Sequence, residues 1–410
     1  MHILLIHQAF VALNEPGGTR HHEIARILAE KGNKVTIIAS PISYLTGEKN
    51  KPNSQKLNTY SNITIFRTYT YPALHKSFFH RLISFFSFMV SSFLRSLYIK
   101  KVDVVWGTSP PIFQGFTAWL IARLKRVPFL FEVRDLWPAF AIAVGVLKNK
   151  FIIRISLWLE QFLYRHADQI IVNSPGFINH VRSRGGKRIG LIPNGSDASM
   201  FDPNADRQTI RKLHDLENKY IVLYAGAHGM SNDLEVILKA AQIIQQQKNI
   251  RIVLIGDGKE KQNLQTKADA MKLSNVSFID PVPKIEMKEV LAAADVCIAI
   301  LKPVDLYKTT YPNKVFDYMA AGRPIILAID GVIREVVEEA GCGIYTTPGN
   351  VQEMANAITY LYKHKAIAKK MGLAGQELIQ DKFDRTKLAN QFIHIFEGMR
   401  NKNGGKRIIG

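Results

Sequence analysis

The sequence has only two cysteines in 410 residues, Cys297 and Cys342, and both sit in apolar surroundings. Two thiols cannot build a disulfide framework, so a disulfide-stapled secreted scaffold is excluded and two reduced, packed thiols of a cytoplasmic protein are expected. No Cys/His cluster has zinc spacing, and no structural metal is expected. No GxGxxG is present, which removes the dinucleotide fingerprint. The amino terminus lacks a basic leader, and MHILLIHQAF reads as a buried first strand rather than a signal peptide. The apolar stretch LISFFSFMVSSFL (82–94) runs 13 residues without a charge, short of the roughly 20 a spanning helix needs. It reads as a buried helix or as an interfacial helix with basic flanks. Acid is scarce in the first half. Residues 1–200 carry 25 Lys+Arg against 10 Asp+Glu, residues 201–410 carry 29 against 24, and between Glu48 and Asp103 nine Lys or Arg stand with no acid. A one-sided positive field of this kind suits an anionic partner: nucleic acid, an anionic membrane surface or a phosphorylated substrate.

What is present is ordinary globular composition, 47% hydrophobic and 21% charged, with a length that suggests two or three domains. Apolar runs alternate with amphipathic segments. Strands are expected at 3–6, 34–39, 63–66, 102–106, 129–133, 169–172 and 189–192. After a polar stretch the pattern restarts, with strands at 220–225, 250–255, 276–279, 296–300, 324–327 and 343–345. Continuous apolar strands separated by helices make parallel sheets covered on both faces. The expected architecture is α/β, two doubly wound Rossmann-like units at 1–195 and 215–380 facing a cleft, with an amphipathic helix over 385–400 and a frayed tail. Ligands in such sheets lie beyond the carboxyl ends of the strands.

Candidate site residues follow those ends. Pro16-Gly17-Gly18 comes after the first strand and opens a helix, where glycines let backbone N–H groups approach a phosphate; a plain tight turn is the other reading. Gly226-Ala227-His228-Gly229 follows the first strand of the second unit, and His228 there can reach a phosphate or sugar hydroxyl or simply be solvated. Gly256-Asp257-Gly258 follows the next strand, as a turn or a ligand approach. The densest segment is Lys308-Thr309-Thr310-Tyr311-Pro312-Asn313-Lys314-Val315-Phe316-Asp317. Pro312 suits a first helical turn with Thr309 or Thr310 as cap, and Lys314 and Asp317 share a face, either as a local ion pair or as a cation for a diphosphate and a carboxylate for ribose hydroxyls. In the first unit Arg134-Asp135 ends a strand beside Trp137, as a structural pair or as site residues.

Taken in order, these segments resemble the retaining glycosyltransferases of family 4, which have the GT-B fold. The resemblance is carried by GGTRHHEIARILAEKGNKVTIIAS, ADQIIVNSPGF, LIPNGSDASMF, VLIGDGKEKQNL, FIDPVPKIEM, AAADVCIAIL and PNKVFDYMAAGRPIIL, and it spans nearly the whole chain. FEVRDLWP and YAGAHGMSNDLEVIL look like a subgroup that includes L-fucosamine transferases of O-antigen pathways. The resemblance implies sugar transfer from a nucleotide-sugar, with UDP the expected nucleotide, to an acceptor held by the first unit, 1–195. The donor belongs to the second, 215–380, and the helix 385–400 packs back on the first. Asp317 matches the family's ribose-binding glutamate, Lys314 a lysine before it, Gly17 and Gly18 the glycine loop near the diphosphate, and Pro283-Lys284 the region flanking the base. The donor set is then Gly17, Gly18, Gly226, His228, Gly229, Gly256, Gly258, Lys284, Lys308, Thr309, Asn313, Lys314 and Asp317, with Asp135 and Arg134 on the acceptor side.

The sequence also departs from the family pattern. Thr309 stands where an acidic residue usually touches the donor sugar. Ala227 and Asn232 replace the usual Arg and Lys, so the diphosphate must be met by Lys308, Lys314, Arg323 or backbone amides. Arg134 replaces a common histidine. No DxD-type carboxylate pair is evident, and a reaction without metal or other cofactor is expected. The acid-free stretch 49–102 suits a membrane surface, so the expected acceptor is a polyprenyl-diphosphate-linked saccharide, the expected location the inner face of the bacterial cytoplasmic membrane, and no nucleic-acid partner is expected. The rival readings are a GT-B sugar-nucleotide epimerase, which would carry more cleft carboxylates; a phosphorylase, whose cofactor lysine site is not identifiable; and a non-enzymatic basic protein bound to membrane or nucleic acid, which leaves the donor set unexplained.

Overall fold

The computed structural model describes residues 1–43, 47, 49, 62–72, 78–202 and 205–407. They form two compact units: Met1–Ala12, Thr19–Pro193 and Thr386–Gly410 make the first, Leu13–Gly18 and Asn194–Arg385 the second.

The first unit runs β1 (His2–Ile6), α1 (Arg20–Glu30), β2 (Lys34–Ala39), β3 (Ile63–Arg67), α2 (Phe78–Leu97), β4 (Val104–Ser109), α3 (Phe113–Lys125), β5 (Phe129–Val133), α4 (Ala139–Ala143), α5 (Lys150–His166), β6 (Gln169–Val172), α6 (Ile178–Ser183) and β7 (Ile189–Leu191). Its seven strands are ordered β3-β2-β1-β4-β5-β6-β7 and all pair in parallel. Ile3 stands opposite Val35 on one side and Val104 on the other. The apolar run 102–106 gives the position of β4 but not its end: Thr108 and Ser109 are polar and still pair with Glu132 and Val133. Right-handed crossovers put α1, which carries the chain from β1 to β2, on one face of the sheet, and α2, α3 and α5, which carry it the opposite way, on the other.

The second unit runs α7 (Gln208–Leu213), β8 (Tyr220–Ala225), α8 (Leu234–Ile243), β9 (Ile250–Ile255), α9 (Lys261–Ala270), β10 (Val276–Ile279), α10 (Met287–Ala293), β11 (Val296–Ile300), α11 (Asn313–Ala320), β12 (Ile325–Ala328), α12 (Val332–Ala340), β13 (Gly343–Tyr345), α13 (Val351–Lys363) and α14 (Lys365–Leu378). Its six parallel strands are ordered β10-β9-β8-β11-β12-β13. The central strands of both sheets are buried on two faces, which is why they read as apolar runs, while the edge strands β3, β7, β10 and β13 are only partly buried. Cys297 and Cys342 are buried free thiols in this second core.

The last helix, α15 (Arg385–Arg407), leaves the second unit at its first residue and packs on the first sheet. Phe392 and Phe396 are fully buried, with ring centroids 5.0 and 5.7 Å from that of Trp106. The helix continues through the stretch expected to fray, as far as Arg407.

Over 82–94, helix α2 is buried on one face and open on the other. Ser84, Phe85, Phe88, Ser92 and Ser96 are buried, while Phe86, Val90 and Leu94 are exposed. No helix among the described residues is long and apolar enough to cross a membrane. Parts of the acid-free stretch 49–102, residues 50–61 and 73–77, lie outside the described residues.

Candidate active site

At the carboxyl ends of the second sheet, two glycine loops nest against each other. Gly226, Gly256 and Gly258 have φ of +149°, +147° and +152°, a region that L side chains rarely adopt. A Cβ on Gly256 would lie 1.9 Å from the Gly226 carbonyl oxygen, and one on Gly258 2.6 Å from that of His228. The His228 N–H donates to the Asp257 carbonyl at 2.8 Å, and the Glu260 N–H to that of His228 at 2.9 Å. This clamps the His228 ring into full burial, with neither ring nitrogen hydrogen-bonded. Burial, then Lys261 and Lys314, push its pKa down to about 4, so the imidazole is neutral and holds one donor and one acceptor without partners. Gly229 is an ordinary loop glycine whose Cβ would meet Asn232 at a normal 3.5 Å.

Helix α11 supplies the charges. Lys314 Nζ donates to the Tyr224 hydroxyl at 2.6 Å and lies 3.9 Å from the Tyr224 ring centroid. Burial without a carboxylate pushes its pKa down to about 7. Asp317 accepts from Ser196 Oγ at 2.7 Å, pairs with Lys284 Nζ at 2.7 Å, and receives Asn313 Nδ2 at 3.3 Å. Lys314 and Asp317 are thus not the local ion pair that their spacing allowed. The almost fully buried Lys284 ammonium takes the carboxylate instead. Arg385 steadies the group by donating to Asn313 Oδ1 at 3.4 Å and to the Gly195 carbonyl.

Two expectations need correction, the cap of α11 and the place of Arg323. Neither Thr309 nor Thr310 caps α11: their hydroxyls donate to the Leu306 and Tyr307 carbonyls of the preceding 3-10 turn, and Pro312 occupies the cap position. Lys308, on the 3-10 turn that follows β11, pairs with Asp305 at 3.0 Å and Asp330 at 3.7 Å. Arg323 precedes β12 at the amino end of the sheet, where it donates to the Ala321 and Ala294 carbonyls, so it is no diphosphate ligand at the carboxyl end. Gly17 and Gly18 fall in the segment 13–18 that belongs to the second unit, where the Ile285 N–H donates to the Leu13 carbonyl at 3.2 Å. Gly17 has φ +136°, and Gly18 has open space around its Cβ position.

In the first unit, Arg134 and Asp135 follow β5. Arg134 donates to Thr108 Oγ1 at 2.8 Å, to the Pro110 carbonyl at 3.1 Å and to His7 Nε2 at 2.9 Å. Since a guanidinium only donates, the His7 proton sits on Nδ1, which is buried without a partner. Asp135 is not ion-paired with Arg134. Its burial outweighs the arginine's field and raises its carboxyl to about 7. Beneath them is a buried group that the sequence did not flag. Glu132 is fully buried and takes Arg20 Nε at 3.1 Å, His21 Nε2 at 2.7 Å and Trp106 Nε1 at 3.1 Å. Burial would raise its carboxyl, but His21 and Arg20 hold it down at about 2. Arg20 carries the compensating charge, because burial keeps His21 neutral, at about 4.

Ser196, Asn194, Tyr224 and Arg385 are the other members that sequence reasoning missed. Asn194 Nδ2 donates to the Tyr311 carbonyl at 2.6 Å, tying the LIPNGS segment to the turn before α11. The only signal was the position of that segment, directly after an apolar strand. Among the described residues no group of three or more His, Cys, Asp or Glu is arranged to hold a metal ion.

Comparison with known proteins gives two family matches. "Glycosyl transferase 4-like domain" matches residues 17–195 and "Glycosyl transferases group 1" matches residues 219–364. The Escherichia coli (strain K12) chain WcaI, named as a colanic acid biosynthesis glycosyl transferase, is 23% identical over 401 residues, covering 92% of this chain and 95% of its own. Among solved structures, the sucrose-phosphate synthase of Thermosynechococcus elongatus superposes with a TM-score of 0.77 at 18% identity, over 97% of this chain and 98% of that one. Anabaena Alr3699/HepE, solved in complex with UDP-glucose, superposes with a TM-score of 0.75 at 16% identity, over 97% and 100%.

Proposed function

We propose, from the premise that this chain belongs to the GT-B glycosyltransferases, that it moves a sugar from a UDP-sugar to a lipid-linked saccharide with retention at the anomeric carbon, as a family 4 enzyme of bacterial surface-polysaccharide synthesis. The observation that carries the donor half is the pair on α11: a carboxylate fixed by Lys284, Ser196 and Asn313, and one turn away an ammonium whose contacts are a phenol oxygen and its ring. In this reading Asp317 takes the ribose hydroxyls, Lys314 meets the diphosphate, and His228 gives its free donor and acceptor to a phosphate or sugar hydroxyl. Gly226, whose Cβ position faces Lys314 Nζ at 2.9 Å, lets the diphosphate approach backbone beside that ammonium, while Gly256 and Gly258 make room for the nested loops. UDP is supported by the UDP-glucose complex of the Anabaena protein, and surface polysaccharide by the role named for WcaI. An N-acetylated amino or deoxyamino sugar, as in the fucosamine transferases, rests on FEVRDLWP and YAGAHGMSNDLEVIL.

Charge that develops on the leaving UDP is stabilised by Lys314 and by loop amides. The departing phosphate oxygen accepts the proton of the acceptor hydroxyl on the face where the new bond forms. Arg134 and Asp135 hold the acceptor. No metal or other cofactor takes part. The protein works peripherally on the cytoplasmic membrane, with contact through 49–102.

The test is thermal shift against UDP, GDP, ADP, CMP and their sugars with EDTA present, since a ligand of the folded state alone raises Tm with occupancy. UDP and one UDP-sugar are expected to shift the wild type, and neither to shift Asp317→Ala. A folded protein that no nucleotide shifts would overturn the donor assignment.

A further inference from the structure

The first unit carries a second exposed apolar stripe that sugar transfer does not use. Phe151, Ile155 and Trp158 stand at i, i+4 and i+7 of α5 and are 69%, 44% and 58% exposed. Six of the seven exposed aromatic side chains among the described residues lie between Tyr69 and Trp158. Single exposed apolar residues need no explanation, but stripes on two helices that pack against the same third helix do. Helix α3 touches both α2 and α5, so the open faces of α2 and α5 belong to one helical layer. On α2, Phe86, Val90 and Leu94 repeat at four-residue spacing.

The rim of this layer has one sign. Between Tyr69 and His166 the acids are Asp103, Glu132, Asp135 and Glu160, and none is exposed. Lys100 and Lys101 follow α2, Arg126 follows α3, and Lys148, Lys150 and Arg154 flank the α5 stripe, all of them exposed. The segment 139–147 that leads into α5 carries no charge. An apolar stripe with a purely cationic rim is complementary to an anionic lipid surface, where acyl chains take the rings and headgroups take the cations. A second copy of this chain would bring like charge against like charge.

We propose that α2, α3 and α5 form one seat for an anionic bilayer, and that α5 inserts Phe151, Ile155 and Trp158 at the headgroup boundary. This extends the membrane contact beyond 49–102. It rests on surface chemistry and not on the transfer reaction, so the two fail separately.

The experiment is co-sedimentation of the full chain with vesicles of phosphatidylcholine alone or mixed with phosphatidylglycerol, together with tryptophan quenching by bromine-labelled acyl chains. Binding is expected only to the mixed vesicles. Replacing Phe151, Ile155 and Trp158 together by Ser lowers it by at least about tenfold. Trp106 is fully buried, Trp119 and Trp137 are partly buried and Trp158 is 58% exposed, so the quenching assigned to Trp158 is the share that Trp158→Phe removes, and that share is expected to be the largest of the four. The UDP thermal shift, run on each variant, reports the fold and the donor site independently. Undiminished binding of the triple variant, an unquenched Trp158, or a stable dimer that the triple variant dissociates would each overturn the proposal.

Discussion

Lys314 is an ammonium with a phenol for company. Its pKa near 7 lies below the ordinary 10.5, so between those values the unfolded chain binds the proton and the folded chain does not. Stability therefore rises with pH across that window, and the residue's cost is largest below pH 7. Lys314→Met flattens that rise in a Tm-against-pH series. Bound diphosphate restores the proton, so UDP affinity of the wild type falls as pH climbs above 7, and in Lys314→Met it is at least about tenfold weaker and without that slope. Asp317 separates structure from binding in a different way. Asp317→Ala leaves the buried Lys284 charge unpaired and costs about 3–5 kcal/mol in denaturant unfolding. Adding Lys284→Met recovers most of that stability, while UDP binding stays lost. In the first unit the carboxyl of Asp135 is raised from 3.8 to about 7, so the folded state holds a proton that the unfolded chain has released, and its contribution falls as pH rises from 4 to 7. Asp135→Asn is then more stable than wild type above pH 7 and equal to it near pH 3. If the carboxylate acts on the acceptor, kcat/KM rises through pH 7, and the variant loses about 10²–10⁴ of it; an unchanged pH profile would leave Asp135 a structural group. Little of this was legible in spacing. The sequence put Lys314 and Asp317 on one face, but Asp317 is bound by residues 33 and 121 positions away, and only the fold brings those together.

At the level of elements, the central strands were readable because they are buried on both faces and so written as apolar runs, Tyr220–Ala225 and Val296–Ile300 among them. Their ends were less so, since a strand like β4 continues for as long as its neighbour offers backbone partners. Helix α2 was ambiguous because its serines lie on the buried face, at 84, 92 and 96, while Phe86, Val90 and Leu94 stand open, so polarity does not say which face finds a protein neighbour. Glycine loops were legible as turns, but not as a nested pair. That nesting makes a prediction. Gly256→Ala must displace the Gly226 carbonyl at an unfavourable φ, and the expected cost is about 1–3 kcal/mol or more in urea unfolding. Gly18→Ala meets open space and no positive φ, so it leaves Tm unchanged. A fall in UDP affinity for that variant then reports a ligand passing close to the backbone. Unchanged affinity would remove Gly17-Gly18 from the donor set and leave a tight turn.

For the molecule as a whole, the chain does not divide into units at one point. Its first unit is closed by α15, whose residues follow the entire second unit in sequence. Leu388, Ala389, Phe392 and Phe396 fill the same core cluster as Ile3, Trp106 and Leu130, so the first unit's core is incomplete until the last residues are present. The second unit has its own two clusters, with no member from α15. Phe392→Ala removes a fully buried ring and is expected to cost about 3–5 kcal/mol, against total stabilities of about 5–15. The loss should fall on one unit alone. Calorimetry of the variant is expected to show a lowered transition that UDP does not move and a second, unshifted one that UDP raises. Ending the chain at Arg385, which keeps the Arg385 contacts to Gly195 and Asn313, should abolish the first transition and preserve the second. One cooperative transition, lowered as a whole by Phe392→Ala, would mean that the units stabilise each other too strongly for α15 to be the private closure of the first.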